Sequence, residues 1–462
     1  MSGEGARPGA QRILATLERA RALARQAQDE AAKQAYIEVL REDPTNFCAL
    51  NEIGTLALAG GYRSAARTAY LQAVAHHPGN AVARINLANV LREEQDVEGA
   101  RAHYEAALAI EPALPEAHQG LAWVFGELGL EGAEAHRQRG FEGRALLTQP
   151  YRGTGRGVPL IQLVSARGGN IPTRLWIEDR RFTIHAIYAE YFDLDRPLPP
   201  HALVVNAIGD ADLCERALRC AEALAARSSA PVINPPARVR ATGREQNARR
   251  LAAIPGVIAP RIETVARADL PAAPGLEFPL LLRSPGFHTG RHFVLVEERE
   301  SLGAAAAALA GPQVLAIQYL DARGADGMAR KFRVMFVDGV AYPLHLAISS
   351  DWKVHYFSAD MARDPAFREE ERRFLCDMPG VLGPRAMQAL EGIAALLGLD
   401  YAGIDFALAP DGSLLLFEAN ATMVVFPPGP EPIWDYRRAA IDTVIEASRR
   451  MVLSRAQPPG SP

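Results

Sequence analysis

The stretch YAGIDFALAPDGSLLLFEAN, residues 401–420, places two apolar runs around Pro410-Asp411-Gly412. Those three residues are turn chemistry, so the stretch reads as a β-hairpin. A strand alternates faces, which sends Leu414, Leu416, Glu418 and Asn420 one way and Leu415, Phe417 and Ala419 the other. A lone carboxylate in so apolar a strand is costly unless it is paired or holds a metal. Glu418 therefore meets a cation from elsewhere in the chain, or a metal ion, or stands at a strand end that has already reached solvent. If Ala409 pairs with Gly412, Asp405 lies opposite Leu416 and shares the face of Glu418 and Asn420. A slip by one residue would turn it to the other face. In the first register three oxygen ligands converge, a set that suits Mg2+ shared with the phosphates of a nucleotide.

Just upstream, FPLLLRSPGFHTGRHFVLVE (278–297) reads as two strands around a glycine-containing loop. Gly286 and Gly290 let backbone amides approach an anion. Arg283 at the strand end, Ser284 beside it and Arg291 in the loop complete a candidate phosphate nest. VLAIQYLDA (314–322) reads as a strand emerging at Gln318-Tyr319-Leu320-Asp321. KFRVMFVDGVAYPLHLAIS (331–349) reads as a hairpin around Asp338-Gly339, with Lys331 and Arg333 on one face and His345 in the return strand. Lys353 and His355 follow at once. A lone histidine is more often a satisfied core residue than a ligand, but here two histidines, two lysines and an arginine crowd one short span.

Lysine is rare. Of 50 basic residues only Lys33, Lys331 and Lys353 are lysine, leaving 50 − 3 = 47 arginines. Two of the three fall in that same span, where a compact, movable charge has a use that arginine's planar fork does not serve.

Towards the N-terminus the pattern changes to α/β. PLIQLVSA (159–166), RFTIHAIY (181–188), ALVVNAIGDAD (202–212) and APVIN (230–234) read as strands, with helical periodicity over 214–227, which is a small layer with a parallel sheet. Ligands of such sheets sit at carboxyl ends of strands. That makes Gly168, Gly169, Asn170, Asn206, Gly209, Asp210 and Asp212 candidates for substrate contact, against the plain alternative of turn chemistry.

The first third is a repeat of period 34. Ala32, Ala66 and Ala100 align, as do Tyr36, Tyr70 and Tyr104, Pro44, Pro78 and Pro112, and Leu23, Ala57, Leu91 and Phe125. This is the tetratricopeptide pattern of paired helices. About three full repeats run from Ile13 to Gly126, followed by a degenerate helix near 131–146. Such arrays form a short solenoid with a groove, which suggests a peptide or protein partner, or else assembly into a homo-oligomer.

The whole therefore divides into an all-α solenoid (10–148), an α/β layer (157–240), an α+β domain (241–452) and a tail (453–462). The net charge of −4 and the lack of a basic block argue against nucleic acid. No apolar run reaches membrane-spanning length. The N-terminus carries no signal-peptide pattern, and four scattered cysteines make no disulfide framework. These point to a cytoplasmic protein.

In the order of these pieces, residues 157–450 resemble the ATP-grasp ligases, among them glutathione synthetase, D-alanine–D-alanine ligase and the ribosomal-protein glutamate ligases. The resemblance implies that Asp405, Glu418 and Asn420 bind magnesium. It implies that Gln318, Tyr319 and Leu320 hold adenine, that Asp321 lies near the ribose, and that Arg333 lies close to the transferred phosphate. The two lysines usual for the nucleotide phosphates are Arg244 and Arg283 here. HLAISSDWKVHYF has no clear counterpart. The implied activity is ADP-forming carboxylate–amine ligation with ATP and Mg2+. Arg283, Arg333 and Lys353 would stabilise charge, and His345 or His355 would orient the carboxylate or take the amine's proton. A peptide or protein substrate held by the repeats is the leading expectation. A ligase for small amino acids or dipeptides, and an inactive nucleotide-binding scaffold, are the alternatives.

Overall fold

The computed structural model describes residues 6–26, 28–273, 275–286, 292–354 and 359–456. Expectations that fall on Gly290, Arg291 and His355 lie outside the described residues. The chain divides into two compact units, Met1–Ala145 with Arg152–Thr154, and Leu146–Tyr151 with Gly155–Pro462.

In the first unit, α1 (Ala6–Arg25) packs on α2 (Asp29–Glu42) and α3 (Phe47–Ala59) on α4 (Arg63–His76). In the same way α5 (Ala81–Glu93) packs on α6 (Val97–Ile110) and α7 (Pro115–Leu128) on α8 (Ala133–Phe141). The 34-residue period explains the packing. Ala32, Ala66 and Ala100 are fully buried, and Tyr36, Tyr70 and Tyr104 lie beside them in the core. Gly54 is required where α3 meets α4, because a Cβ there would come within 2.5 Å of the Tyr70 ring. The caps keep the period too: Asn46 and Asn80 accept the amides of Ala49 and Ala83, and the next repeat replaces the cap with Pro115 in the first turn. The degenerate last helix expected near 131–146 is α8.

The second unit contains three sheets. The first joins β1 (Leu146–Thr148), β2 (Val158–Val164), β3 (Phe182–Tyr188), β4 (Leu203–Asn206) and β5 (Val232–Ile233) in the order β1-β3-β2-β4-β5. All but β1 are parallel. The helix α9 (Glu215–Ala225) links β4 to β5, and α10 (Pro236–Arg240) and α11 (Arg244–Leu251) follow. β6 (Val257–Ile258) belongs to the third sheet. The second sheet, order β7-β10-β8-β9, is antiparallel and is built from β7 (Ile262–Ala266), β8 (Leu280–Arg283), β9 (Phe293–Val296) and β10 (Gln313–Gln318). Leu280 and Leu282 face its core with Leu302 of α12 (Leu302–Ala307), leaving Leu281 and Arg283 on the other face.

The third sheet has the order β12-β11-β13-β14-β6. Its strands are β11 (Ala329–Val337), β12 (Val340–Ser349), β13 (Tyr401–Leu408), β14 (Leu414–Asn420) and the parallel β6. Three helices pack on it: α13 (Pro365–Cys376), α14 (Met378–Leu397, kinked at Gly383) and α15 (Arg438–Ala456). Phe332 stacks on Phe406 and meets Phe374 of α13 edge-on, which commits one face of β11 and β13 to the core. Lys331, Arg333 and Asp405 are thereby turned the other way.

The register of the β13–β14 hairpin differs from the expected one. Asp405 lies opposite Glu418, not Leu416, and the ladder shifts between Asp405 and Phe406. The cause is at the turn: the Ala409 amide bonds the Ser413 carbonyl and the Gly412 amide turns back on Ala409, so the pairing starts one residue later. Uncorrected, that slip would face Asp405 away from Glu418. A bulge that leaves Phe417 over restores the face.

Asn234 ties the first sheet to the third. Its side chain accepts the amides of Asp400 and Tyr401 and donates to the Tyr401 carbonyl. Its φ of 53° is a left-handed conformation that asparagine tolerates.

Candidate active site

One row of side chains crosses four strands of the third sheet. His345 of β12 is opposite Arg333 of β11, Arg333 is opposite Asp405 of β13, and Asp405 is opposite Glu418 of β14. The ladder shifts at both ends of this row, and the left-over residues are Leu344 and Phe417. Bulges re-aim side chains locally. Here both left-over residues and their neighbours His345 and Glu418 line the same cavity.

That cavity, of about 330 Å³, opens between this row and the exposed face of the second sheet. Leu281 and Arg283 of β8, Ile317 and Gln318 of β10, and Tyr319 and Leu320 beyond it line it from that side. Leu281 pairs directly with Ile317, so an apolar floor gives way to the Arg283 charge two residues along the strand. Lys331, Arg333, Asp405, Leu416 and Glu418 line it from the third sheet, Arg244 comes from α11, and Trp352 and Lys353 follow β12.

Charge dominates the polar part. The described lining residues include five cationic side chains, Arg244, Arg283, Lys331, Arg333 and Lys353, against two carboxylates, Asp405 and Glu418. Arg333 grips Asp405 in a two-point bond, Nε to Oδ1 at 2.6 Å and a terminal nitrogen to Oδ2 at 2.7 Å. Lys331 Nζ stands 3.3 Å from Oδ2. Burial alone would raise the Asp405 carboxyl, but Arg333 and Lys331 overcome it and hold the group well below the usual carboxylate range. Arg244 is paired with Glu418 and lies 3.8 Å from Asp212. The opening puzzle thus has its answer in this structure: the cation that meets Glu418 is Arg244. Arg283 is brought down to about 10, first by burial and then by Arg244. Burial and then Arg333 push His345 well below the ordinary histidine value, so its ring is neutral.

The magnesium donors expected from the sequence do come together in pairs. Asn420 Nδ2 donates to Glu418 Oε1 at 2.7 Å, while its Oδ1 accepts the amide and hydroxyl of Thr422 at 2.9 and 2.8 Å. Asn420 lines a smaller neighbouring cavity with Arg244 and Glu418. Among the described residues no three His, Cys, Asp or Glu side chains gather as a metal group. Two carboxylates and an amide are nonetheless a hard-oxygen set, which fits a cation that takes its remaining ligands from phosphate and water.

Several expected residues lie elsewhere. Ser284 is fully buried and its hydroxyl donates to the Ala310 carbonyl, so it turns into the core. Asp321 is held by Arg323 outside the cavity lining. Gly286, at φ 80°, is a turn residue whose Cβ position faces Leu213. Of the loops after the parallel strands, Asn170 and Asp210 bond local backbone groups, which is the turn-chemistry reading, while Asn206 accepts the Ile208 amide and also donates to the Asn234 carbonyl beyond β5. Asp212 reaches the site through Arg244, and the Asp210 charge acts on Arg244 and Arg283 as well.

Among the lining residues that the sequence did not mark are Phe293 and Trp352. Phe293 has Arg283 over its ring at 5.6 Å and Lys353 at 5.9 Å, and it meets Trp352 edge-on. The signal was available in the hairpin: Phe293 is the cross-strand partner of Arg283.

Comparison with known proteins reaches the repeats. Residues 88–129 match the family model described as a TPR repeat. The N-terminal region is therefore a TPR-like helical array, and the rest of the chain is mixed α/β. No match is found among the curated proteins. Similar solved structures include a MamA double mutant from strain RS-1, at 20% identity and TM-score 0.26 over 28% of this chain and 72% of that one. MamA 41-end from Desulfovibrio magneticus RS-1 is similar at 21% identity and TM-score 0.25, over 27% and 71%. The first TPR of Spaghetti, bound to an HSP90 peptide, is similar at 22% and 0.25, over 26% and 94%. Among the described residues no helix is long and apolar enough to cross a membrane.

Proposed function

We propose that the chain is an ATP-dependent, ADP-forming carboxylate–amine ligase of the ATP-grasp kind, acting on a peptide or protein-bound substrate. The observation that carries this is the charge of the cavity: five cations against two carboxylates, beside an apolar floor, between an antiparallel sheet and a mixed one. Like charges about 5 Å apart repel by roughly 3 kcal/mol each at an effective dielectric of 20, so an excess of cations over carboxylates favours a polyanion. A nucleoside triphosphate meets both demands, with its base over Leu281, Ile317, Tyr319 and Leu320 and its phosphates towards Arg283, Lys331, Arg333 and Lys353.

In this reading a substrate carboxylate oxygen attacks the γ-phosphorus and the bond to ADP breaks. An amine then attacks the acyl carbon, phosphate leaves, and the nitrogen loses a proton. Asp405, Glu418 and Asn420 would hold magnesium, which supplies further neutralisation of phosphate charge. The chain's own cations orient the phosphates and stabilise the charge that develops on them. His345, opposite Arg333, would orient the substrate carboxylate or take the amine's proton. TPR repeats generally mediate protein–protein interaction, and the array is the element suited to hold a peptide or protein substrate.

The test is ADP release by the full chain with Mg2+ and ATP, with low-mass and high-mass fractions of a cell extract added separately. Stimulation by the high-mass fraction, abolished in Arg333→Met, is the expected result. Stimulation by the low-mass fraction alone would remove the macromolecular substrate. No release with either, although ATP binds, would remove the ligase.

A further inference from the structure

The two carboxylates expected to hold metal are already occupied by the chain's own cations. Both oxygens of Asp405 are bonded to Arg333, with Lys331 at 3.3 Å from one of them. Glu418 is paired with Arg244 and also accepts from Asn420. Arg244 is itself anchored, since its backbone amide lies 3.2 Å from both oxygens of Asp212. Three residues along α11, Asn247 donates to the Ala419 carbonyl at 2.6 Å, so one short helix grips β14 at two successive residues, Glu418 and Ala419. A divalent cation approaching alone meets occupied oxygens and a wall of net positive charge. That remains so when Asp210 and Asp212, which both act on Arg244, are counted, for five cations then face four carboxylates.

We propose that the cavity loads in a fixed order, polyanion first and divalent metal second. Arg244 and the Arg333–Lys331 pair serve as stand-in cations on Glu418 and Asp405 until phosphate oxygens draw them off. A guanidinium bonds phosphate as readily as carboxylate and in the same forked geometry, so the exchange needs only side-chain rotation. Once the cations turn to phosphate, the released carboxylates face a site whose net charge has fallen, and the metal is admitted. Two consequences distinguish this device from a site that takes a ready-made metal–nucleotide complex. The empty cavity binds a polyanion without metal, and removing a stand-in cation improves binding of metal without polyanion. The inference rests on the proposed nucleotide site but not on its turnover.

The experiment uses the full-length chain and two probes. Inorganic tripolyphosphate is titrated calorimetrically in excess EDTA, and Mn2+ alone is titrated by electron paramagnetic resonance. Wild type is expected to bind tripolyphosphate in EDTA and to bind Mn2+ weakly. Arg244→Met is expected to tighten Mn2+ by roughly tenfold and to weaken tripolyphosphate by a similar factor, typical of coupled sites. Lys331→Gln, which leaves the Arg333–Asp405 bond in place, shifts both in the same directions by less and covers the case in which Arg244→Met does not fold. The proposal is overturned if tripolyphosphate binds only when Mn2+ is present, or if neither variant improves Mn2+ binding. Neither readout involves ADP release. A chain without ligase activity can therefore still load in this order, and an active ligase that binds Mn2+ first would overturn the order alone.

Discussion

Asp405 shows how much of a site a single residue's type reveals. A carboxylate inside the apolar run YAGIDFAL had to be paired or coordinated, and that much follows from the cost of burying a charge. Its partner, 72 positions upstream, was not readable, because both Lys331 and Arg333 stand on the right face and only geometry selects the two-point bond. Removing one member of such a buried pair strands the other. Asp405→Asn is expected to destabilise the fold by about 3–5 kcal/mol, read as a lower urea midpoint. Replacing the pair together, Arg333→Met with Asp405→Leu, is expected to recover most of that loss, because an apolar pair carries no unmatched charge. A double variant no more stable than Asp405→Asn would mean that the cost lies in packing.

At the scale of elements, the repeats were legible and the closing hairpin only partly so. A period of 34 fixes which residues meet, and the alanines and tyrosines it selects are the buried ones. Gly54 follows the same logic, and Gly54→Ala is expected to cost about 1–3 kcal/mol through overlap with Tyr70, seen as a lower melting temperature. β5 and β6, two residues each, are too short for any period to show. In β14 two departures from ideal pairing, a late turn and a bulge at Phe417, combine to keep Asp405 facing Glu418. The face was therefore readable and the register was not. The repeats also carry a pH dependence. His136 Nδ1 lies 2.8 Å from His118 Nδ1, and burial, then His118 and Arg139, lower its pKa against the opposing pull of Glu105. Below the ordinary histidine value of about 6.5 the unfolded chain takes up a proton that the folded chain refuses, so stability falls as pH falls. The slope from this one group is at most about 1.4 kcal/mol per pH unit. Melting curves between pH 7.5 and 5.5 should show His136→Gln losing less stability than wild type. Equal slopes would exclude His136 as a contributor.

Across the whole molecule, the sequence shows where charged side chains crowd apolar spans but not how distant strands meet. Asn234 shows why. Nothing in APVIN announces that its asparagine will bond residues 400 and 401, since that contact depends on two sheets whose relative placement no local pattern encodes. The scarcity of lysine is legible from end to end, and together with the cavity it has a practical consequence. Lys331 and Lys353 line the site, whereas Lys33 sits on the surface of the repeats beside Glu30. An amine-selective acylating reagent therefore has three side chains to modify, two of them inside the cavity, and the third serves as an internal reference. Peptide mass spectrometry should find that tripolyphosphate slows acylation of Lys331 and Lys353 while Lys33 reacts at an unchanged rate. Each molecule thus carries its own occupancy gauge, readable without a label, a substrate or a mutation.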